Sequence, residues 1–372
     1  MAIQLVLHPY RLSFHRPFVT AFGTLAERQG ILLGACGTEA SAATGWGEAA
    51  PLPGFGGESL ARSDAVLRCL AAEAQAWSAL LTPQAIQALM ADLERRFPDA
   101  PCARAAVDQA LSDRAARLAG LPLWRWLRQG WGLSDDSPQP RVAVNATVGA
   151  DEPSAAAAQA AVAAAAGYQA IKVKLGGEPR RDLACMAAVR AAVGPGVALR
   201  ADANGAWDEA LAARMLTSLA PMHLEYVEQP LPAGSGPAAQ RACLLGMARL
   251  RRLGVPLAAD ESLLVPGALP ALLDAGAADL LILKPQLLGG LHAAARLAAA
   301  GRAAGLDSVV TTALDAAIGR MGAVQLAAAL GLRRPCGLAT GTLLAEDLTR
   351  GPVEEAGFIL LPHAPGLGLA PD

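Results

Sequence analysis

From Arg141 onward the chain alternates short apolar runs with Ala-rich helical stretches, the beat of a parallel sheet whose strands are joined by crossover helices. The runs are VAVNATV (142–148), YQAIKVKL (168–175), VALRADAN (197–204), HLEYVEQP (223–230), VPLAADES (255–262), ADLLILKP (278–285) and DSVVTTAL (307–314), with a weaker eighth at Cys336 to Thr340. This pattern predicts an α/β fold, a TIM-like barrel of the (β/α)7β type that lacks the last helix. Residues 1 to about 125 read differently, with strands around Ile3 to Phe14 and Ile31 to Ala35 followed by helices from about Ala61 to Leu118. That is an α+β domain. After Gly337 the Pro- and Gly-bearing tail loses the βα beat and is expected to return onto the first domain. The organisation expected is therefore 1–125 α+β domain, 126–337 barrel and 338–372 returning segment.

Length agrees with this division, because 372 residues exceed the roughly 250 of a barrel alone. Hydrophobic residues make up 53% of the chain and aromatics only 4%, so the apolar content is mostly Ala and Leu, which suits helices packed on a sheet. A net charge of -2 with no block of like charges argues against nucleic-acid or acidic-membrane partners. The start, MAIQLVLHPYRLSF, has no basic and apolar leader pattern, and the Ala-rich run Ser154 to Gly167 is shorter than the roughly 20 residues of a membrane span. A cytoplasmic location is expected, and the run is read as a barrel helix. The six cysteines, at 36, 69, 102, 185, 243 and 336, are dispersed and are expected to be reduced thiols. The motifs GxGxxG, GxxxxGK[ST], HExxH and GxSxG are missing.

Charged residues fall where the chemistry of a barrel is done. Lys172 and Lys174 close the second run, Asp202 the third, Glu228 the fourth, Asp260 the fifth and Lys284 the sixth. In a barrel the C-terminal strand ends meet at one mouth, so these residues are expected to converge. The period of two puts Lys172 and Lys174 on one strand face. Three carboxylates at one mouth drive each other towards protonation unless a cation stands among them, and oxygen-only ligands favour Mg²⁺, with Mn²⁺ second. The lysines then serve as base and electrostatic partner for removal of a proton next to a substrate carboxylate. General base catalysis supplies about 10² to 10⁴, or roughly 3 to 5 kcal/mol, which is too little without metal assistance. A metal-free Schiff-base lysine enzyme is the competing class, which borohydride trapping with substrate would support and activity lost in EDTA and restored by Mg²⁺ would exclude.

Around this ring, Arg200 and Asn204 share a strand face with Asp202, and Gln229 and Glu261 follow two of the carboxylates; supporting or purely structural roles are both open for them. Thr311 and Thr312, near the end of the seventh run, offer hydroxyl and N–H groups to a small-molecule carboxylate substrate, with a purely structural strand-end role equally open. The histidines at 8, 15, 223, 292 and 363 stand away from the strand ends and are read as structural.

As a set, KVK, DAN, VEQP, DES and LKPQLLGG resemble the enolase superfamily, in its muconate-cycloisomerase-like subgroup. Within it Arg28, Gly30, GWGEAAPLPGF (45–55), TTALDAAIG (311–319) and CGLATGTLLAEDL (336–348) are most similar to the o-succinylbenzoate synthase family. The resemblance implies that the first domain caps the barrel, that Lys174 is the base assisted by Lys172, and that Lys284 stabilises an enediolate. It also implies that Asp202, Glu228 and Asp260 hold Mg²⁺ and that loops around Thr20 to Thr24 and Pro51 to Phe55 close over the mouth. Members that also racemise N-acylamino acids commonly carry Arg three residues after the second lysine, where this chain has Leu287.

Overall fold

In the computed structural model the described residues are all but 1, 21–22, 38–42, 53, 78–81, 135–140, 150–151 and 266, and of 18–20 the backbone alone is described. The chain opens with an antiparallel meander, β1 (Ile3–Thr20), β2 (Gly23–Gly37) and β3 (Gly45–Ala49). Helices α1 (Leu60–Glu73), α2 (Pro83–Arg96), α3 (Pro101–Leu118) and α4 (Leu123–Gly130) follow. The strands run beyond the two expected segments, and β3 is additional: its GWGEA reads as a motif and not as an apolar run. Along β1 the buried side chains change parity. Ile3 and Leu5 enter the main core, whereas Leu12 and Phe14 join Ala316 and Leu344 in a second cluster on the opposite face. One strand thus packs on two bodies.

Local chemistry sets the helix starts. Thr82 accepts from the Ala85 N–H and Pro83 occupies the first turn of α2, where its missing N–H costs nothing. Helix α3 is buried on nearly every side. It lies so close on β3 that a Cβ at Gly47 would stand 2.0 Å from the Ala106 carbonyl oxygen, and one at Gly45 2.2 Å from that of Ala110. Only glycine at both positions admits this contact.

The second body alternates as expected. Strand β4 (Arg141–Ala143) precedes β5 (Ala146–Val148), and then come α5 (Pro153–Ala165), β6 (Ala170–Lys174), α6 (Pro179–Val193), β7 (Ala198–Asp202) and α7 (Glu209–Leu219). Next are β8 (Tyr226–Glu228), α8 (Pro237–Leu250), β9 (Leu257–Ala259), α9 (Ala268–Ala275), β10 (Leu280–Leu283) and the single turn α10 (Pro285–Leu288). Helix α11 (Leu291–Ala303), β11 (Asp307–Val310) and α12 (Ala317–Leu330) complete the series. Strands β5 to β11 form one parallel sheet in sequence order. Its two edges are joined by the eighth segment: Gly337 bridges Thr311 and Cys336 bridges Val144, both parallel. The barrel closes through this short piece and carries no helix after it.

The run VAVNATV is not one strand. Residues 141–143 pair antiparallel with β13 (Phe358–Leu360), itself hairpinned to β12 (Glu354–Glu355), and only the part from Val144 onward joins the barrel. Returning chain meets the first domain at Phe14, bridged to Leu344, and at Asp113, which accepts the Leu367 N–H at 2.6 Å. Among the described residues no helix is long and apolar enough to cross a membrane. All six cysteines are free thiols.

Candidate active site

Register brings the charged strand ends together. Lys174 of β6 lies opposite Asp202 of β7, which lies opposite Glu228 of β8, and Lys172 sits one layer below on the same face. Asp260 directly follows β9 and Lys284 directly follows β10. In an eight-strand closure β6 and β10 are four strands apart, so Lys174 and Lys284 stand on opposite sides of the mouth.

The amines are tied to the carboxylates. Lys172 Nζ donates to Asp202 Oδ2 at 2.8 Å and reaches both Glu228 oxygens at 3.2 Å. Lys174 Nζ donates to the same Asp202 oxygen at 2.7 Å, and Lys284 Nζ to Asp260 Oδ2 at 2.5 Å. The Lys174 side chain is 38% exposed against 12% for Lys172 and 11% for Lys284, so Lys174 is the amine that opens onto the cleft.

Burial dominates the electrostatics. Burial opposes ionisation of Asp202, but the Lys172 and Lys174 ammonium groups outweigh it and hold the carboxyl well below the usual range. Glu228 is pushed up to about 8 by burial and then by the Asp202 charge, with Asp260 adding to the shift. Burial pulls the Lys172 ammonium down, yet Asp202 and Glu228 raise it well above its ordinary value. Lys284 is raised in the same way, its burial outweighed by Asp260 and Glu261. Two buried amines therefore stay charged and still leave Glu228 short of a counter-charge.

A hard cation fits that deficit. The donors are all oxygen, Asp260 Oδ1 and Glu261 Oε2 are buried without partners, and Glu228 is driven towards protonation without more positive charge. As placed, the side chains are gathered on the amines, and among the described residues no three His, Cys, Asp or Glu groups already surround a common point.

Other expected residues separate into two groups. Asn204 Oδ1 accepts from Lys174 Nζ at 2.9 Å, while Asn204 Nδ2 donates to Glu261 Oε1 at 3.1 Å, so this pair braces the exposed amine. Asn204 takes a left-handed φ of 44° to do so. Thr311 and Thr312 are both buried at the end of β11, and the Thr312 hydroxyl lies 2.9 Å from that of Thr340. Arg200 turns to the other end of the barrel, where it donates to Glu225 at 2.6 Å and to the Pro335 carbonyl at 2.7 Å. It is wholly buried over the Tyr226 ring and plugs the floor. Strand parity aligned Arg200 with Asp202, but side-chain length carries its guanidinium away from the mouth. Gln229, also left-handed at φ 37°, accepts from the Asp260 N–H at 3.1 Å and the Ser262 hydroxyl at 2.9 Å and so orients the loop bearing Asp260. Of the expected closing loops, Ala21, Phe22 and Pro53 lie outside the described residues.

Sequence reasoning missed a polar seam between the two bodies. The Glu48 carboxylate of β3 accepts the Ala316 and Gly319 N–H groups at 2.8 and 2.7 Å, capping α12, which has no cap of its own, and accepts the Tyr10 hydroxyl at 2.7 Å. A carboxylate capping a helix some 270 residues away leaves no local signature. Asp108 of α3 likewise holds His292, accepting its N–H at 2.8 Å and lying 2.6 Å from its ring Nδ1.

Closed barrel, capping α+β domain and this ring of amines and carboxylates define a class. The chain belongs to the enolase superfamily: residues 2–127 match the mandelate racemase / muconate lactonizing enzyme N-terminal domain, and residues 155–372 the enolase C-terminal domain-like family. Among its relatives, the o-succinylbenzoate synthase of Thermobifida fusca (strain YX) is 42% identical over 216 residues. That match spans 57% of this chain and 63% of that protein, under two thirds of its length. The L-Ala-D/L-Glu epimerase of Bacillus subtilis (strain 168) is 28% identical over 95% of this chain and 92% of that protein, and muconate cycloisomerase 1 of Rhodococcus opacus 30% over 94% and 90%. The dipeptide epimerase of Enterococcus faecalis V583, solved in complex with Mg and the dipeptide L-Leu-L-Tyr, superposes with a TM-score of 0.86 at 27% identity, covering 99% of both chains.

Proposed function

We propose that the chain is a Mg²⁺-dependent o-succinylbenzoate synthase, dehydrating 2-succinyl-6-hydroxy-2,4-cyclohexadiene-1-carboxylate to the aromatic product as a step of menaquinone biosynthesis. The observation that carries the reaction type is the placement of Lys174 and Lys284 on opposite sides of a buried carboxylate trio. Lys174, the more exposed amine, takes the proton from the ring carbon bearing the carboxylate. Asn204, braced by Glu261, holds its amine towards the cleft. Lys284, raised and charged, faces the developing enediolate from across the site. Lys172 stays ammonium beneath Asp202 and Glu228; it holds Asp202 ionised and pulls Glu228 down only partway against its burial, so that a cation completes the charge balance. Asp202, Glu228 and Asp260 would hold Mg²⁺, which when bound supplies Lewis-acid stabilisation of the carboxylate worth several kcal/mol. As the ring C–O bond breaks, its former C–H electron pair becomes a ring double bond, and the Lys174 ammonium returns its proton to the departing hydroxyl as water.

Support for this substrate is the 42% identity to the Thermobifida fusca synthase, with Leu287 where racemising members commonly carry Arg. The Thr312 and Thr340 hydroxyls, hydrogen-bonded to each other, leave one O–H donor suited to a second carboxylate. The alternative, a dipeptide epimerase, N-acylamino acid racemase or muconate cycloisomerase on the same scaffold, is favoured by the full-length likeness to the Enterococcus faecalis epimerase. A spectroscopic assay with the cyclohexadiene substrate beside N-succinylamino acids and dipeptides, with and without Mg²⁺, decides. Dehydration absent and epimerisation present would replace the synthase reading.

A further inference from the structure

Arg28 belongs to the first domain, yet its guanidinium is a meeting point for main chain from both bodies. It is 2% exposed. Nε donates to the Leu314 carbonyl at 2.9 Å and Nη2 to that of Ala313 at 3.3 Å, both in the loop after β11. Nη1 donates to the Pro51 carbonyl at 2.6 Å, and Nη2 also to that of Ala50. The two segments so joined flank the cleft. Ala313 directly follows Thr311 and Thr312. Further along this segment are Gly56 and Gly57, whose added Cβ atoms would lie 3.0 Å from Leu264, in the loop after β9, and 3.3 Å from Leu287, in α10. Gly56 and Gly57 therefore rest over the Lys284 side of the mouth.

Backbone strain is the second, independent observation. Leu314, whose carbonyl accepts from Nε, has φ 60°, a left-handed conformation that is unfavourable for a branched residue and persists only where surroundings over-determine it. The Glu48 cap on α12 pins the same loop two residues further on.

We propose that Arg28 is a positioning residue: its planar fork fixes the separation of the 50s loop from the strand-seven loop and thereby the fit of substrate in the cleft. The proposal rests on the enzymatic reading above for its kinetic consequence alone. Lysine at this position keeps the charge but cannot span carbonyls in four directions from a plane. The test is Arg28→Lys, assayed for kcat and KM and by amide hydrogen exchange without substrate. The expected result is KM raised about tenfold with kcat within about threefold, and faster exchange confined to 50–57 and 311–316. Unchanged KM, or exchange that quickens evenly over the whole chain, overturns it. The exchange arm needs no substrate, so if wild type fails to dehydrate the cyclohexadiene the functional reading falls while the clamp is still judged. Leu314→Gly, which removes the strained side chain and keeps Arg28, guards against an unfolded Arg28 variant. It should quicken exchange in 311–316 alone and raise KM, and unchanged values for both contradict the proposal.

Discussion

Replacing Asp315 by Asn tests the buried seam between the two bodies through the pH dependence of folding. Asp315 is 3% exposed and its Oδ1 has no partner. Burial, and next the Glu48 charge, push its carboxyl from 3.8 up to about 7 against the pull of Arg28. An acid whose folded pKa lies above its unfolded value takes up a proton on folding between those values. The stability it contributes is complete below about pH 4 and is lost as the pH rises through 7. A shift of about 3 units at 1.36 kcal/mol each gives roughly 4 kcal/mol over the whole window, of which about 3 falls between pH 5 and pH 8. Asn is neutral throughout and nearly isosteric. Chemical denaturation of both proteins at pH 5 and pH 8 should therefore show the variant gaining about 2–3 kcal/mol on wild type at the higher pH. Comparing the two proteins at each pH cancels the titrating groups that do not feel the Asp315 charge, leaving Asp315 and its coupled neighbour Glu48. A gap between variant and wild type that is the same at both pH values would mean that Asp315 is ionised throughout, and the reasoning would be wrong.

Lys174→Ala should abolish substrate turnover and solvent exchange of the substrate α-proton while leaving circular dichroism and Mg²⁺ affinity unchanged; normal turnover would show that another group is the base. Glu228→Gln should weaken Mg²⁺ binding by at least about tenfold in calorimetry, since one of three anionic donors is lost, and an unaltered affinity would remove Glu228 from the ligand set. Gly47→Ala places a Cβ 2.0 Å from the Ala106 carbonyl oxygen, so α3 must shift. A loss of about 1–3 kcal/mol or more in denaturation is expected, and a neutral result would mean that the strand and helix are free to part.

Much of this molecule was legible because its signals are local. Each barrel strand is a short apolar run bounded by Gly, Pro or Asp, and strand-end position in a parallel barrel dictates convergence, so Lys172, Lys174, Asp202, Glu228, Asp260 and Lys284 were found together without coordinates. Period-two alternation put Arg200 on the right strand face but not at the right end, because direction along the barrel axis depends on what a long side chain reaches. The VAVNATV run was divided by a partner, β13, more than 200 residues away.

What the sequence alone determined is the βα beat, the closure into a barrel and the residue types at its mouth, all consequences of periodicity within one segment at a time. Tertiary structure decided which carboxylate each amine holds, that Asn204 and Glu261 brace Lys174, and that Glu48 and Arg28 join the capping domain to the barrel. Those contacts link residues tens to hundreds of positions apart through side-chain rotamers and single carbonyls. Their energies exist only once burial has removed competing water, so no stretch of sequence records them in advance.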